Sequence, residues 1–232
     1  MGVTFSSDPS SNEVANSLSD ITVHSDGYSN PSSMLSHKQM MRVDLEVSAK
    51  LVSAYISHVY SPLIDEVGLK SLVFSALRSK ESRTDNNEQI DRIVESSWAV
   101  FHNPETLTLN TQEMLAVFIL LADAPWDRRL YLLFELFKMM GTDEMLHEDI
   151  QLAAHASASG LFKLWGNEPW EHNEFRTLTE GIADHAYLKL DKALDTPLTS
   201  ENFIFWAVDR FKDSRTVATH QALQAVFESA YQ

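Results

Sequence analysis

The residues whose types and spacing could do chemistry gather first in the twelve-residue connection 138–149, which follows Phe134 and Phe137 and precedes Ile150. A loop that wraps a calcium ion supplies oxygen donors at positions 1, 3, 5, 7, 9 and 12, with glycine at 6 for the sharp turn. Here position 1 is Lys138, position 3 is Met140, position 5 is Thr142 and position 6 is Asp143. An ammonium group donates hydrogen bonds, accepts none and repels a cation. The frame of such a loop survives while most of its ligands are gone, which points toward recognition of another protein rather than catalysis.

A second constellation is Glu144-x-x-His147, a pattern that supplies di-metal ligands in four-helix bundles when a second copy and two further helical glutamates accompany it. No second copy occurs in the sequence. His147 and His155, on one helix, would stand about 80° apart around its axis, and they suit surface or polar-pocket roles better than metal binding. Fingerprints for zinc proteases, phosphate-binding loops, nucleophile elbows and dinucleotides are absent. Acidic residues number 33, so accidental carboxylate pairs are too common to assign. No catalytic residue is named, and the chain is expected not to be an enzyme.

The elements that must position these residues read as helices. Apolar residues recur at three- and four-residue spacing from about residue 40, through Leu45, Ala49, Val52, Ile56 and Val59. After Ser61 and Pro62 a helix is expected over about 65–78, and then another over about 88–101 with Ile90, Ile93, Val94, Trp98 and Phe101 on its apolar face. Asn110 with Glu113 three residues on has the form of a helix cap. The helix it opens holds the longest apolar run, 114–122, too short for a membrane span and suited to burial. Further helices are expected at about 127–139, 146–159, 174–190, 200–211 and 214–231, the second of these alanine-rich enough for close approach by a neighbour.

Aligned on residues 138–149, comparable units appear elsewhere. Trp98 and Phe101 precede a loop 102–113 with Leu109 at position 8, and Tyr187 and Leu190 precede a loop 191–202 with Leu198 at position 8. A fainter unit spans 60–71, with Val67 at position 8. With Met145 at position 8 of the reference loop, the chain over about 60–210 resembles the EF-hand superfamily, especially the four-hand neuronal calcium sensor and calcineurin-B-like group. The resemblance implies an all-α, two-lobed array of helix-loop-helix units, with lobes at 39–124 and 125–232 after a flexible arm at 1–38. It also implies that position 8 is buried and joins a two-stranded link between paired loops. A cleft within or across the lobes would receive an amphipathic helix. Phe134, Phe137, Met139, Met140, Phe203 and Trp206 are its candidate groove residues, since aromatics adhere and methionine adapts. In some members of that group the C-terminal helix fills the groove instead.

Departures from the pattern are large. The second loop offers His102, Pro104 and Thr106 at positions 1, 3 and 5, although it keeps Glu113 at 12. The third ends on the shorter Asp149, and the fourth has Asp191 and Asp195 at 1 and 5 but Ala193 at 3 and Asn202 at 12. Losing the bidentate carboxylate at 12 weakens a site greatly. Asp191 and Asp195 are therefore weak metal candidates, and neither calcium nor another cofactor is expected.

Bulk composition narrows the partners. A net charge of −15 opposes nucleic acid and anionic membranes, and suits a basic or amphipathic protein segment. Cysteine is absent, which excludes disulfides and thiolate metal sites. The N-terminus has neither a basic head nor an apolar stretch for secretion, so an intracellular, cytoplasmic protein is expected. Gly2 stands in Met-Gly-x-x-x-Ser, an N-myristoylation acceptor pattern that would add weak, reversible membrane contact. The reading is a calcium-independent or weakly calcium-responsive adaptor that binds a helical segment of another protein. Two alternatives stay open: a helical enzyme or metal-binding bundle with a dispersed site, and a structural subunit of a larger assembly.

Overall fold

Three-and-four apolar spacing becomes eight helices among the described residues, which are 43–58, 61–78, 85–139, 141–165 and 172–211 of the computed structural model. The helices are α1 (Leu45–His58), α2 (Glu66–Leu77), α3 (Asp85–Phe101), α4 (Thr111–Leu121), α5 (Trp126–Phe137), α6 (His147–Trp165), α7 (His172–Lys189) and α8 (Ser200–Phe211). Five strands of two or three residues, again among the described residues, lie in the connections: β1 (Leu63–Ile64), β2 (His102–Asn103), β3 (Thr108–Asn110), β4 (Glu144–Met145) and β5 (Leu198–Thr199). The arm at 1–38, Gly2, Met140 and the helix expected over 214–231 lie outside the described residues.

The strands join the connections in pairs. Ile64 pairs with Leu109 in an antiparallel sheet ordered β1-β3-β2, and Met145 pairs with Leu198 where β4 meets β5. All four of these side chains are buried, so each link turns one apolar side chain from either connection into the core. The first unit differs from its expected register: the paired residue is Ile64, and Val67 is 74% exposed. The reason is local. Asp65 accepts the Gly68 N–H at 2.7 Å and caps α2, so Val67 already belongs to a helix and cannot join the sheet.

Helix α4 is the centre of the core. Its residues from Met114 to Leu120 are all buried, as an all-round apolar helix requires. Asn110 caps it by accepting the Gln112 and Glu113 N–H groups at 3.0 and 3.3 Å. Helix α1, helices α3 and α5, and most extensively α6 pack around it. Contacts between α4 and α6 and between α1 and α5 thus cross the boundary expected at 124/125. Helix α6 continues six residues beyond its expected end at 159, through Gly160. Buried Ala153, Ala156, Ser157 and Gly160 recur at helical spacing along it, and the last lies against Glu113 and Val117 of α4.

Two polar devices fix this packing. Glu113 accepts hydrogen bonds from Lys163 Nζ at 2.6 Å and Ser159 Oγ at 3.0 Å, tying the start of α4 to α6 across 50 residues of chain. Arg129 donates to the Leu120 and Ala124 carbonyls at 2.7 and 2.6 Å, closing the end of α4 onto α5. Its guanidinium also lies over the Trp126 ring at 4.3 Å, and partial burial pulls its pKa down.

Candidate functional site

The connection between α5 and α6 carries its own cation. Lys138 caps the C-terminus of α5 by donating its N–H to the Phe134 carbonyl at 2.8 Å. Its ammonium donates to Asp143 at 2.7 Å and to Glu135 at 3.0 Å. Those bonds, first the one to Asp143 and then the one to Glu135, hold the Lys138 pKa above its ordinary value. Gly141 takes a φ of +82° that L side chains rarely adopt, and Thr142 closes the turn onto the Met139 carbonyl through both its N–H and its hydroxyl. Asp149 accepts the Leu146 N–H at 2.8 Å. Asp143 and Asp149 are therefore committed to an internal ammonium and an internal amide.

The other connections are closed in their own ways. Between α3 and α4 the backbone forms a hairpin, with His102 opposite Leu109 and Asn103 opposite Thr108. Leu107 sits at its turn with φ +52°, and His102 donates to the Trp98 carbonyl at 2.6 Å while stacking on the Trp98 ring. Glu113, expected as the retained position 12 ligand, points instead to Lys163 and Ser159 of α6. Between α7 and α8, Asp191 takes a φ of +52°, and both it and Asp195 are exposed. Among the described residues no three His, Asp or Glu side chains are grouped so as to hold a metal ion. Glu144 is exposed, while His147 donates to Asp184 at 2.8 Å and His155 meets the Phe175 ring edge-on.

Beside Lys138 opens a cavity of about 390 Å³. Tyr55 and Ile56 come from the end of α1, Gln112 from the start of α4, and Glu135, Leu136 and Phe137 from the end of α5. Lys138, Met139 and Gly141 supply the loop side, and Asp149 and Leu152 of α6 complete the lining. Met139 and Leu152 are 41% and 42% exposed and belong to the same lining, so the cavity presents apolar side chains to its surroundings. Burial lifts the Tyr55 phenol above its ordinary pKa, so it stays neutral there. The volume falls within the range of small-ligand and anchor pockets.

The expected groove residues divide. Phe137 and Met139 line the cavity. Phe134, Phe203 and Trp206 are buried side by side, with ring centroids 5.9 Å apart from Phe134 to Phe203 and from Phe203 to Trp206. They hold α8 against α5, and Trp206 donates its ring N–H to His185 at 3.1 Å. Their apolar surface is already used by the fold rather than offered to a partner. Tyr55, Ile56, Gln112, Glu135 and Leu152 were not expected at a site, because four separate helices bring them together. Among them Leu152 is the exposed large apolar residue of α6, next to its run of alanines and serines.

The sequence matches no family model, and no curated protein is significantly similar to it.

Proposed function

We propose that this chain is a four-unit EF-hand-like scaffold that recognises a helical segment of another protein without using calcium. The units in this reading are α1 to α2, α3 to α4, α5 to α6 and α7 to α8, forming lobes over 39–124 and 125–232. Support comes from the paired connections, Ile64 with Leu109 and Met145 with Leu198, in which the first unit meets the second and the third meets the fourth through one buried residue from each. Fold resemblance alone does not carry a function. The observation that carries this one is the half-exposed apolar cavity beside a connection whose cation is a lysine of the chain itself.

In this reading Lys138 replaces a metal as the counter-charge of the loop, so the cavity keeps one shape whatever the calcium concentration. The chain performs no catalysis. It acts within the cell, as an adaptor or regulatory subunit, with reversible membrane contact when Gly2 is acylated. The test is selection of peptides from a displayed library on the full chain, in parallel with calcium and with chelator. The same helical binders are expected from both arms, and binding is expected to be lost on Leu152→Glu, an exposed position where folding tolerates charge. Binders that need calcium would overturn the reading.

A further inference from the structure

We infer that the cavity is specific for a segment bearing a bulky apolar anchor with a lysine or arginine one helical turn away. This deepens the recognition proposed above and rests on it. Ile56, Leu136, Phe137, Met139 and Leu152 supply the apolar lining that accepts the anchor. The rim sets the charge. Glu135 and Asp149 belong to the lining, and Asp143 joins Glu135 in pairing with the Lys138 ammonium, so three carboxylates stand beside the cavity against one lysine. Lys138 already binds two of them, which leaves the rim with an excess of negative charge. The α5 helix also ends at this wall with Lys138 as its C-cap, so the helix's partial negative end adds to the carboxylates that this one ammonium must offset. With a net charge of −15 on the whole chain, long-range steering acts in the same direction. A peptide cation at the rim is attracted by every one of these terms, and a peptide carboxylate is opposed by them.

The experiment is the same displayed random-peptide selection, counter-selected against the Leu152→Glu chain and read by sequencing. The expected pool has Lys or Arg three or four positions from Leu, Phe, Met or Trp. The best peptide, resynthesised, should bind Glu135→Gln about two- to fivefold more weakly than the unaltered chain, the scale of a partly exposed charge pair. Its affinity should also fall as salt is raised. Cavity-dependent binders that are neutral or acidic would overturn this inference and leave the recognition reading in place. A pool that does not distinguish the unaltered chain from Leu152→Glu would overturn both.

Discussion

Substituting Gly160→Ala puts the closeness of α4 and α6 to a direct test. A Cβ at this position would lie 2.7 Å from the Glu113 carbonyl oxygen and 2.7 Å from Val117 Cγ2. Carbon contacts are most favourable at roughly 3.5–4.0 Å, so α4 would have to retreat by about 1 Å. That retreat would stretch the 2.6 Å Lys163 and 3.0 Å Ser159 bonds to Glu113. Overpacking of this kind costs about 1–3 kcal/mol. Alanine also brings a gain of about 0.8–1.0 kcal/mol in helix propensity, which partly masks the clash. Gly181 of α7 isolates that gain, because a Cβ there meets nothing within 4 Å. Urea unfolding of the two variants should therefore show Gly181→Ala at or above the unaltered chain. Gly160→Ala should lie about 1–3 kcal/mol below Gly181→Ala at unchanged slope. Equal midpoints for the two variants would refute the claim that α4 and α6 are held in backbone contact.

Two further outcomes concern titration. Tyr187→Phe should be neutral or slightly stabilising at pH 7, because the buried Tyr187 hydroxyl has no hydrogen-bond partner among the described residues. Burial, with Glu148, Asp149 and Asp195 nearby, raises the Tyr187 pKa above its ordinary 10.0. The unfolded chain therefore ionises first, stability is full below about pH 10 and falls above it, and the phenylalanine variant should resist alkaline unfolding longer. Lys138→Met should lower the melting temperature slightly at neutral pH, a loss on the order of 0.5 kcal/mol or less because its partner Asp143 is solvent-exposed. The Lys138 pKa is raised, so its contribution is present below the ordinary value of 10.5 and lost above it. The two melting curves should converge at high pH, and a gap that widens there would contradict the assigned ion pairs.

Much of the helical frame was legible because periodicity and caps are local signals. Ile90, Ile93, Val94 and Phe101 are buried on one face of α3, and Asn110 caps α4 as its side chain and spacing predict. The buried pairing residues Leu109, Met145 and Leu198 stand where the loop alignment put them. Long-range choices were hidden. Glu113 reads as a cation ligand by its spacing, yet only the folded chain brings Lys163 to it. Gly160 reads as a helix stop, but its missing side chain serves close packing within a longer helix. The aromatic residues at 134, 203 and 206 give the same sequence signal for a core as for an open groove, and in the fold the packing of α8 on α5 buries all three. The cavity itself was invisible, since its walls come from α1, α4, α5 and α6.

The central claim is that an internal ammonium has taken the place of a regulatory ion. Calorimetric titration of metal-stripped protein with calcium, with magnesium as the control, tests it most directly. No stoichiometric binding up to about millimolar calcium is predicted, where sensor loops saturate at about 10⁻⁷–10⁻⁵ M. Saturable micromolar binding would contradict the account and make the connection holding Asp191 and Asp195 the first place to look.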